Sequence, residues 1–184
     1  GLKKAGGVAA VQYRPLEQKD RSEIENLHIE WFPVRYQKSY YEEICAGETI
    51  STLAAVLPVK DAKGEDELLL GAIIWQTRFS RHSRDDMDSV LEGGQEAILA
   101  GAAGYVLTFG VVDGARGHGI GKELLLRAFQ AMRKESEKLK AVWVHVVSYN
   151  LVAMALYEKV GFEQIRHFPN FYNFCGRSWD SQLL

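Results

Sequence analysis

"VVDGARGHGIGKELLLR", residues 111–127, is the stretch on which the reading of this chain turns. Gly117, Gly119 and Gly121 stand at alternate positions just ahead of Leu124, Leu125, Ala128, Phe129 and Met132, which recur at helical spacing. A glycine inside a helix costs roughly 1 kcal/mol relative to alanine, so three of them need a backbone reason. The preceding "GYVLTFGVV", residues 104–112, reads as a buried strand, which makes the order strand, glycine turn, helix. Backbone N–H groups at the positive end of a long helix suit an anion the size of a pyrophosphate, and glycine lets it come close. A loop that merely needs positive φ would use the same residues.

Two better-known phosphate loops are excluded. A Walker A loop needs a Gly where Arg116 stands and Ser or Thr where Glu123 stands. A dinucleotide fingerprint needs G-x-G-x-x-G in the first βα unit, whereas these glycines are evenly spaced after what reads as the fourth strand.

Working outward, 184 residues with 47% apolar and 25% charged side chains fit one globular domain with a real core. A net charge of −2 gives no basic footprint for nucleic acid. Cys45 and Cys175 are too few for a disulfide scaffold and lack metal-ligand spacing, which suits a reducing compartment and predicts no metal. No run approaches the roughly 20 apolar residues of a spanning helix. The start at Gly1 and the apolar "SQLL" at the other end suggest a trimmed chain, from which a membrane-targeting tail could be missing.

Residues 11–16 read as an edge strand, and Asp20 with Glu23 as a capping box for a helix over 20–31, stopped by Pro33. Ser39 and Glu42 offer a second box for a short helix ending near Gly47. Residues 50–57 and 68–77 read as a hairpin. Residues 78–104 read as a flexible insertion, with a short helix near 89–100. A helix of about 20 residues should follow the glycine turn. "AVWVHVV" is a strand, Asn150 the N-cap of "LVAMALYEKV", and Gly161 its C′ residue. Residues 162–168 and 172–184 close the chain as two strands. The expected fold is α+β: a single domain, with a mixed, mostly antiparallel seven-stranded sheet flanked by about four helices.

Two side chains are candidates for chemistry. His145 lies mid-strand with Trp143 and Val147 on its own face, where it either packs as a satisfied core residue or lines a cleft. Tyr105 is either a buried structural tyrosine or a proton-handling phenol.

"RGHGIG" resembles the acetyl-CoA signature of the GCN5-related N-acetyltransferases, R/Q-x-x-G-x-G/A, and stands where that family has it, between strand four and helix three. The resemblance extends to "YVLTFGVV", to "HVVSYNLVAMALYEKVGF" and to the element order. Within the family, "WFPVRY", "HFPNFY" and "GRSWDSQLL" are similar to the protein N-terminal acetyltransferases of the NatF type, and next to those of the NatE type.

The resemblance implies transfer of an acetyl group from acetyl-CoA to the α-amine of protein N-termini, Met followed by a hydrophobic or polar residue. His145 and Tyr105 would form a water-linked catalytic pair. Phe109, Gly110 and Val111 would orient the acetyl and pantetheine groups. Arg116, Gly117, His118, Gly119, Ile120, Gly121 and Lys122 would cradle the pyrophosphate, with Asn150 and Tyr157 as further coenzyme contacts. Phe32, Pro33, Val34, Tyr36 and Leu107, with Phe171 and Tyr172, would grip the peptide. Arg35 stands where NatF-like members often carry an acidic residue or another small change, which leaves the exact peptide preference open. A homodimer through residues 168–172, and a catalytic domain facing the cytosol on Golgi or plasma membrane, are the expected assembly and address. The competing readings are acetylation of lysine side chains or small amines, and a non-catalytic acyl-CoA-binding module. Cys175 as an acyl carrier lacks a paired base.

Overall fold

The β-branched run "AVWVHVV" forms a strand, β5 (Ala141–Val147), with buried Trp143, Val144, His145 and Val146 at its centre. A computed structural model describes residues 11–61, 64–79 and 98–184. Before β5 come β1 (Gln12–Arg14), α1 (Arg21–Trp31), α2 (Lys38–Ala46), β2 (Ser51–Asp61), β3 (Gly64–Gln76), β4 (Ala103–Val111) and α3 (Ile120–Glu135). After it come α4 (Leu151–Lys159), β6 (Arg166–Phe174) and β7 (Arg177–Leu183). The strands form one sheet in the order β1-β2-β3-β4-β5-β7-β6. β1 runs antiparallel to β2, β4 parallel to β5, and β7 antiparallel to both β5 and β6.

The register of β4 against β5 runs from Ala103/Ala141 to Val106/Val144, and β5 is next registered against β7 from His145 onward. The carboxyl ends of parallel strands in such sheets are where ligands are taken.

The described residues fall into two compact units: the chain up to Ile74 with Thr108–Ala128, and Trp75–Leu107 with Phe129–Leu184. In the first, Ile24 and His28 of α1, Tyr41, Ile44 and Cys45 of α2 and Leu124 and Leu125 of α3 are buried. The core of the second contains Ile98, Ala103, Tyr105, Trp143 and Leu183, with Phe79, Leu107 and Phe168 packed against it. Phe79 and Ile98 belong to the segment expected to be a flexible insertion, so both its flanks are core; residues 80–97, with most of the helix expected near 89–100, lie outside the described residues.

Several boundaries differ from the sequence reading. Asp20 stands at the N-cap position of α1 as expected but makes no side-chain cap bond there, so the box with Glu23 does not form; its carboxylate accepts the Glu17 N–H at 2.8 Å instead, closing a box one turn earlier around the short 3-10 turn Gln18–Asp20. The same carboxylate takes two bonds from the Arg14 guanidinium, at 2.6 and 2.9 Å, and Arg14 also reaches Glu67 at 2.7 Å. This ties β1 to the start of α1 and to β3. α2 is capped by Gln37 without a side-chain bond, so the Ser39–Glu42 box does not form, while Gly47 closes the helix at φ +67°. The hairpin strands β2 and β3 run well into the polar "PVKDAKGEDE" stretch. α3 is 16 residues long and stops at Glu135, where Ser136 turns to donate its hydroxyl to Gly101 O at 2.6 Å.

The last hairpin is also displaced. Phe174 pairs with Arg177 across Cys175 and Gly176, both at positive φ (+53° and +73°), the geometry of a two-residue type I′ turn. A cysteine in place of the usual Asn or Gly hides that turn from a sequence reading. Asn150 caps α4 as expected, accepting the Ala153 N–H, and Gly161 sits just past that helix at φ +99°.

Candidate active site

The glycine turn begins where β4 ends. Val112 donates to Leu70 O, a 3-10 turn over Asp113–Ala115 follows, and Arg116 anchors the loop by giving its Nε–H to Val111 O at 3.0 Å and pairing with Asp113 at 2.8 Å. Gly117 and Gly119 take φ of +76° and +83°, and nothing lies within 4 Å of where a Cβ would stand on either. The first intrahelical bond recorded at this end runs from Glu123 N–H to Gly119 O, so the N–H groups of the first turn, at Ile120, Gly121 and Lys122, precede the ladder. Two left-handed glycines with open space before them, at the positive end of a 16-residue helix, fit a pyrophosphate-sized anion. His118 bonds locally to Arg116 O at 2.8 Å and helps shape the loop.

Gly110 has a separate reason to be glycine. A Cβ there would lie 2.2 Å from Cε3 and 2.3 Å from Cδ2 of Trp31, so the indole lies against the backbone of β4. Trp31 ends α1, and the adjacent Phe32 caps it in extended conformation. Beyond it, Pro33 and Val34 are exposed, and the exposed Arg35 guanidinium reaches Ile29 O and Phe32 O, each at 3.4 Å. Phe32 meets Tyr36 edge-on at 6.3 Å, and Tyr36 stacks on Tyr40 at 4.8 Å.

All of these rings surround His28, which pattern reading missed because a histidine one turn before "WFP" looks like any exposed helix position. His28 is 1% exposed and has Trp31, Phe32, Tyr36, Tyr40 and Tyr41 within 5.3 to 6.2 Å. Its Nε2 is 3.5 Å from Thr108 Oγ1, which is 3.4 Å from the Tyr40 hydroxyl, so the cluster is linked to β4 one residue before Phe109. Its Nδ1 has no partner among the described residues.

Burial pushes the His28 pKa down from 6.5 to about 4, so it is neutral at physiological pH. On unfolding it regains its ordinary value. Between those two values the unfolded chain therefore binds a proton that the folded chain does not. Its contribution to stability is complete above pH 6.5 and is lost as pH falls towards about 4, roughly 3 kcal/mol in all. His28→Leu should flatten the melting temperature against pH across that window, and an unchanged slope would refute the neutral buried imidazole.

The second unit gathers the predicted chemical groups. Tyr105 stacks on Trp143 at 5.2 Å and meets the His145 ring edge-on at 6.1 Å. Phe171 lies flat on the His145 ring, the centroids 4.3 Å apart and the planes inclined by 12°. Tyr172 donates its hydroxyl to His145 O at 3.3 Å. Tyr157 is buried, edge-on to Phe162 at 5.1 Å. Burial raises its pKa, and the phenols of Tyr172 and Tyr105 are near enough to add to the rise, so Tyr105, His145, Tyr157 and Tyr172 are brought together. Leu107 and Phe168 pack on the core under this group.

A bulge aims Phe171. In β6, Pro169, Asn170 and Phe171 stand opposite Asp180 alone, because Phe168 pairs with Ser181 and Tyr172 with Trp179. Asn170 takes the left-handed conformation, φ +54°, which Asn tolerates. Asp180 fastens the bulge by accepting the Asn170 N–H at 2.9 Å and pairing with His167 at 3.0 Å. The Asn170 N–H, and after it His167, hold the Asp180 carboxyl below its ordinary range.

A mixed sheet with a glycine-turn cradle between β4 and α3, and a Tyr and a His on adjacent parallel strands, defines a coenzyme-dependent acyl transferase fold. The chain belongs to the acetyltransferase (GNAT) family, whose pattern it matches over residues 21–162. It is 26% identical to the histone acetyltransferase MCC1 of Arabidopsis thaliana over 179 residues, covering 95% of this chain and 69% of that one. It is 28% identical to N-alpha-acetyltransferase 60 of Danio rerio over 170 residues, covering 92% and 66%. The chain thus spans about two thirds of the length of these relatives. Among solved structures, NAA60 of Arabidopsis thaliana in complex with a bisubstrate analogue superposes with a TM-score of 0.77 at 26% identity, covering 94% of this chain and 95% of that one. The same protein in complex with acetyl-CoA gives a TM-score of 0.76 at 25% identity, covering 94% and 96%. Among the described residues, no group of three or more His, Cys, Asp or Glu could hold a metal, and no helix is long and apolar enough to cross a membrane.

Proposed function

We propose that this chain transfers the acetyl group of acetyl-CoA to the free α-amine of protein N-termini. The observation that carries the reading is the Tyr105–His145 pair, in a chain that matches NAA60 over 94% of its length. Acetyl-CoA would be held through its pyrophosphate by the N–H groups of Gly117 to Lys122, and through its acetyl end by the backbone of Phe109 to Val111. Asn150 uses its side-chain oxygen to cap α4, which leaves its amide N–H groups to meet the coenzyme.

An α-amine has an ordinary pKa of about 7.7 to 8.0 and must shed protons to attack. Its nitrogen bonds to the thioester carbonyl carbon, the C–S bond breaks, the amine proton passes through water to His145, and the departing thiolate takes one from Tyr105. The amides of β4 donate to the carbonyl oxygen as it gains charge. Phe32, Pro33, Val34 and Tyr36, and separately Leu107 and Tyr172, supply the apolar and hydroxyl groups that grip a peptide start. Address and assembly extend the reading. The free thiols Cys45 and Cys175 support a cytosol-facing domain, proposed to sit on Golgi or plasma membrane through a tail outside this chain. A homodimer through residues 168–172 has less support, since Phe168 and Phe171 pack on His145 within one chain.

A second reading, lysine acetylation, is favoured by the likeness to a histone acetyltransferase. One peptide separates the two. A peptide starting Met-Val or Met-Lys, with an internal lysine, should be acetylated when its N-terminus is free and largely ignored when that amine is blocked, as read by mass spectrometry. Equal acetylation of the blocked peptide on lysine would replace the first reading with the second. In the same assay Tyr172→Ala should chiefly raise the peptide KM.

A further inference from the structure

The His145 imidazole has a hydrogen-bonding neighbour in Ser181, a residue of the "GRSWDSQLL" segment. Its Nδ1 is 3.2 Å from the hydroxyl oxygen of Ser181, which lies on β7 and is wholly buried. That hydroxyl has one proton and two acceptors near it, Val146 O at 3.3 Å and Gln182 O at 3.4 Å. Neither carbonyl can donate, so both contacts call on the serine proton, and while it serves them the serine oxygen presents lone pairs to the imidazole. Nδ1 then carries the hydrogen. Phe171 flat against the ring, with Phe168 and Tyr105 inclined to it, fixes the ring plane.

We propose that Ser181 is a positioning residue that fixes His145 as the Nδ1–H tautomer and so leaves Nε2 as the nitrogen able to accept a proton. In a neutral imidazole one nitrogen donates and the other accepts, and which one does so follows from the bond made by its neighbour. The inference rests on the reading of His145 as the base only for its kinetic consequence; the tautomer itself is a property of the folded chain.

Nitrogen-15 NMR of the imidazoles, with the His145 signals assigned by their loss in His145→Gln, reads the tautomer directly. The folded wild-type chain should show a protonated Nδ1 and a bare Nε2. Ser181→Ala should move His145 to a mixture of tautomers or to Nε2–H, and should lower kcat about 10- to 100-fold with the peptide KM changed less than twofold. Ser181→Thr, which keeps the hydroxyl, should restore both. A wild-type spectrum with the hydrogen on Nε2 overturns the proposal without any variant having to fold, as does a folded Ser181→Ala chain with an unchanged tautomer. A shifted tautomer with unchanged kcat upholds the role of Ser181 and overturns that of His145 as base.

Discussion

His145→Ala lowers kcat for an N-terminal peptide by about 10²- to 10⁴-fold while acetyl-CoA still binds, because a positioned base is lost and the glycine cradle is left intact. Tyr105→Phe should fall in the same range, since it removes only a hydroxyl from a ring that stays stacked on Trp143. The two losses should not multiply if the residues act on one proton path. Calorimetry with acetyl-CoA, alongside turnover between pH 6 and 9, separates chemistry from binding. Near-normal turnover in both folded variants across that range would remove them from the mechanism and leave a coenzyme-binding module.

The strands that carry Tyr105 and His145 were legible from their β-branched, apolar neighbours, and the resemblance alone supplied the roles proposed for the two side chains. The order of helices and strands was legible as well, because hydrophobic periodicity and the breakers Pro33, Gly47 and Gly161 act locally. What escaped was set by partners outside the helix or strand pattern itself. Asp20 holds the N-cap position its neighbours suggest, but its carboxylate is claimed by Arg14 and by the Glu17 N–H rather than by the first turn of α1. Ser181 carries no signal of its own, since its partner is 36 residues away across β5 and β7. The β6 bulge left Pro169 and Asn170 as a hint of irregular backbone, yet only the pairing with Asp180 shows that its effect is to lay Phe171 on His145.

Gly110→Ala and Gly119→Ala should fail in opposite ways, which tests the two uses this chain makes of glycine. At Gly110 the added Cβ would stand 2.2 Å from the Trp31 ring, inside any van der Waals contact, so the indole must leave β4 or the strand must shift. Overpacking of this kind costs typically 1 to 3 kcal/mol, and a rigid ring against backbone belongs at the upper end, about 3 kcal/mol. For a chain of this length that lowers the melting temperature by about 6 to 12 °C. Trp31→Leu alone should also destabilise, but combined with Gly110→Ala it should cost clearly less than the sum, because the clash has gone. Strict additivity would mean that the indole is not what requires a glycine there. At Gly119 the added Cβ meets open space, and only the positive φ resists it, by roughly 1 to 2 kcal/mol. The fold should therefore survive. The atom would stand instead where the cradle meets its anion, so acetyl-CoA affinity should fall by about tenfold or more while the circular dichroism spectrum and peptide KM hardly move. An unchanged affinity in folded Gly119→Ala would mean that the turn needs its glycines for backbone conformation alone, and that the pyrophosphate is held elsewhere.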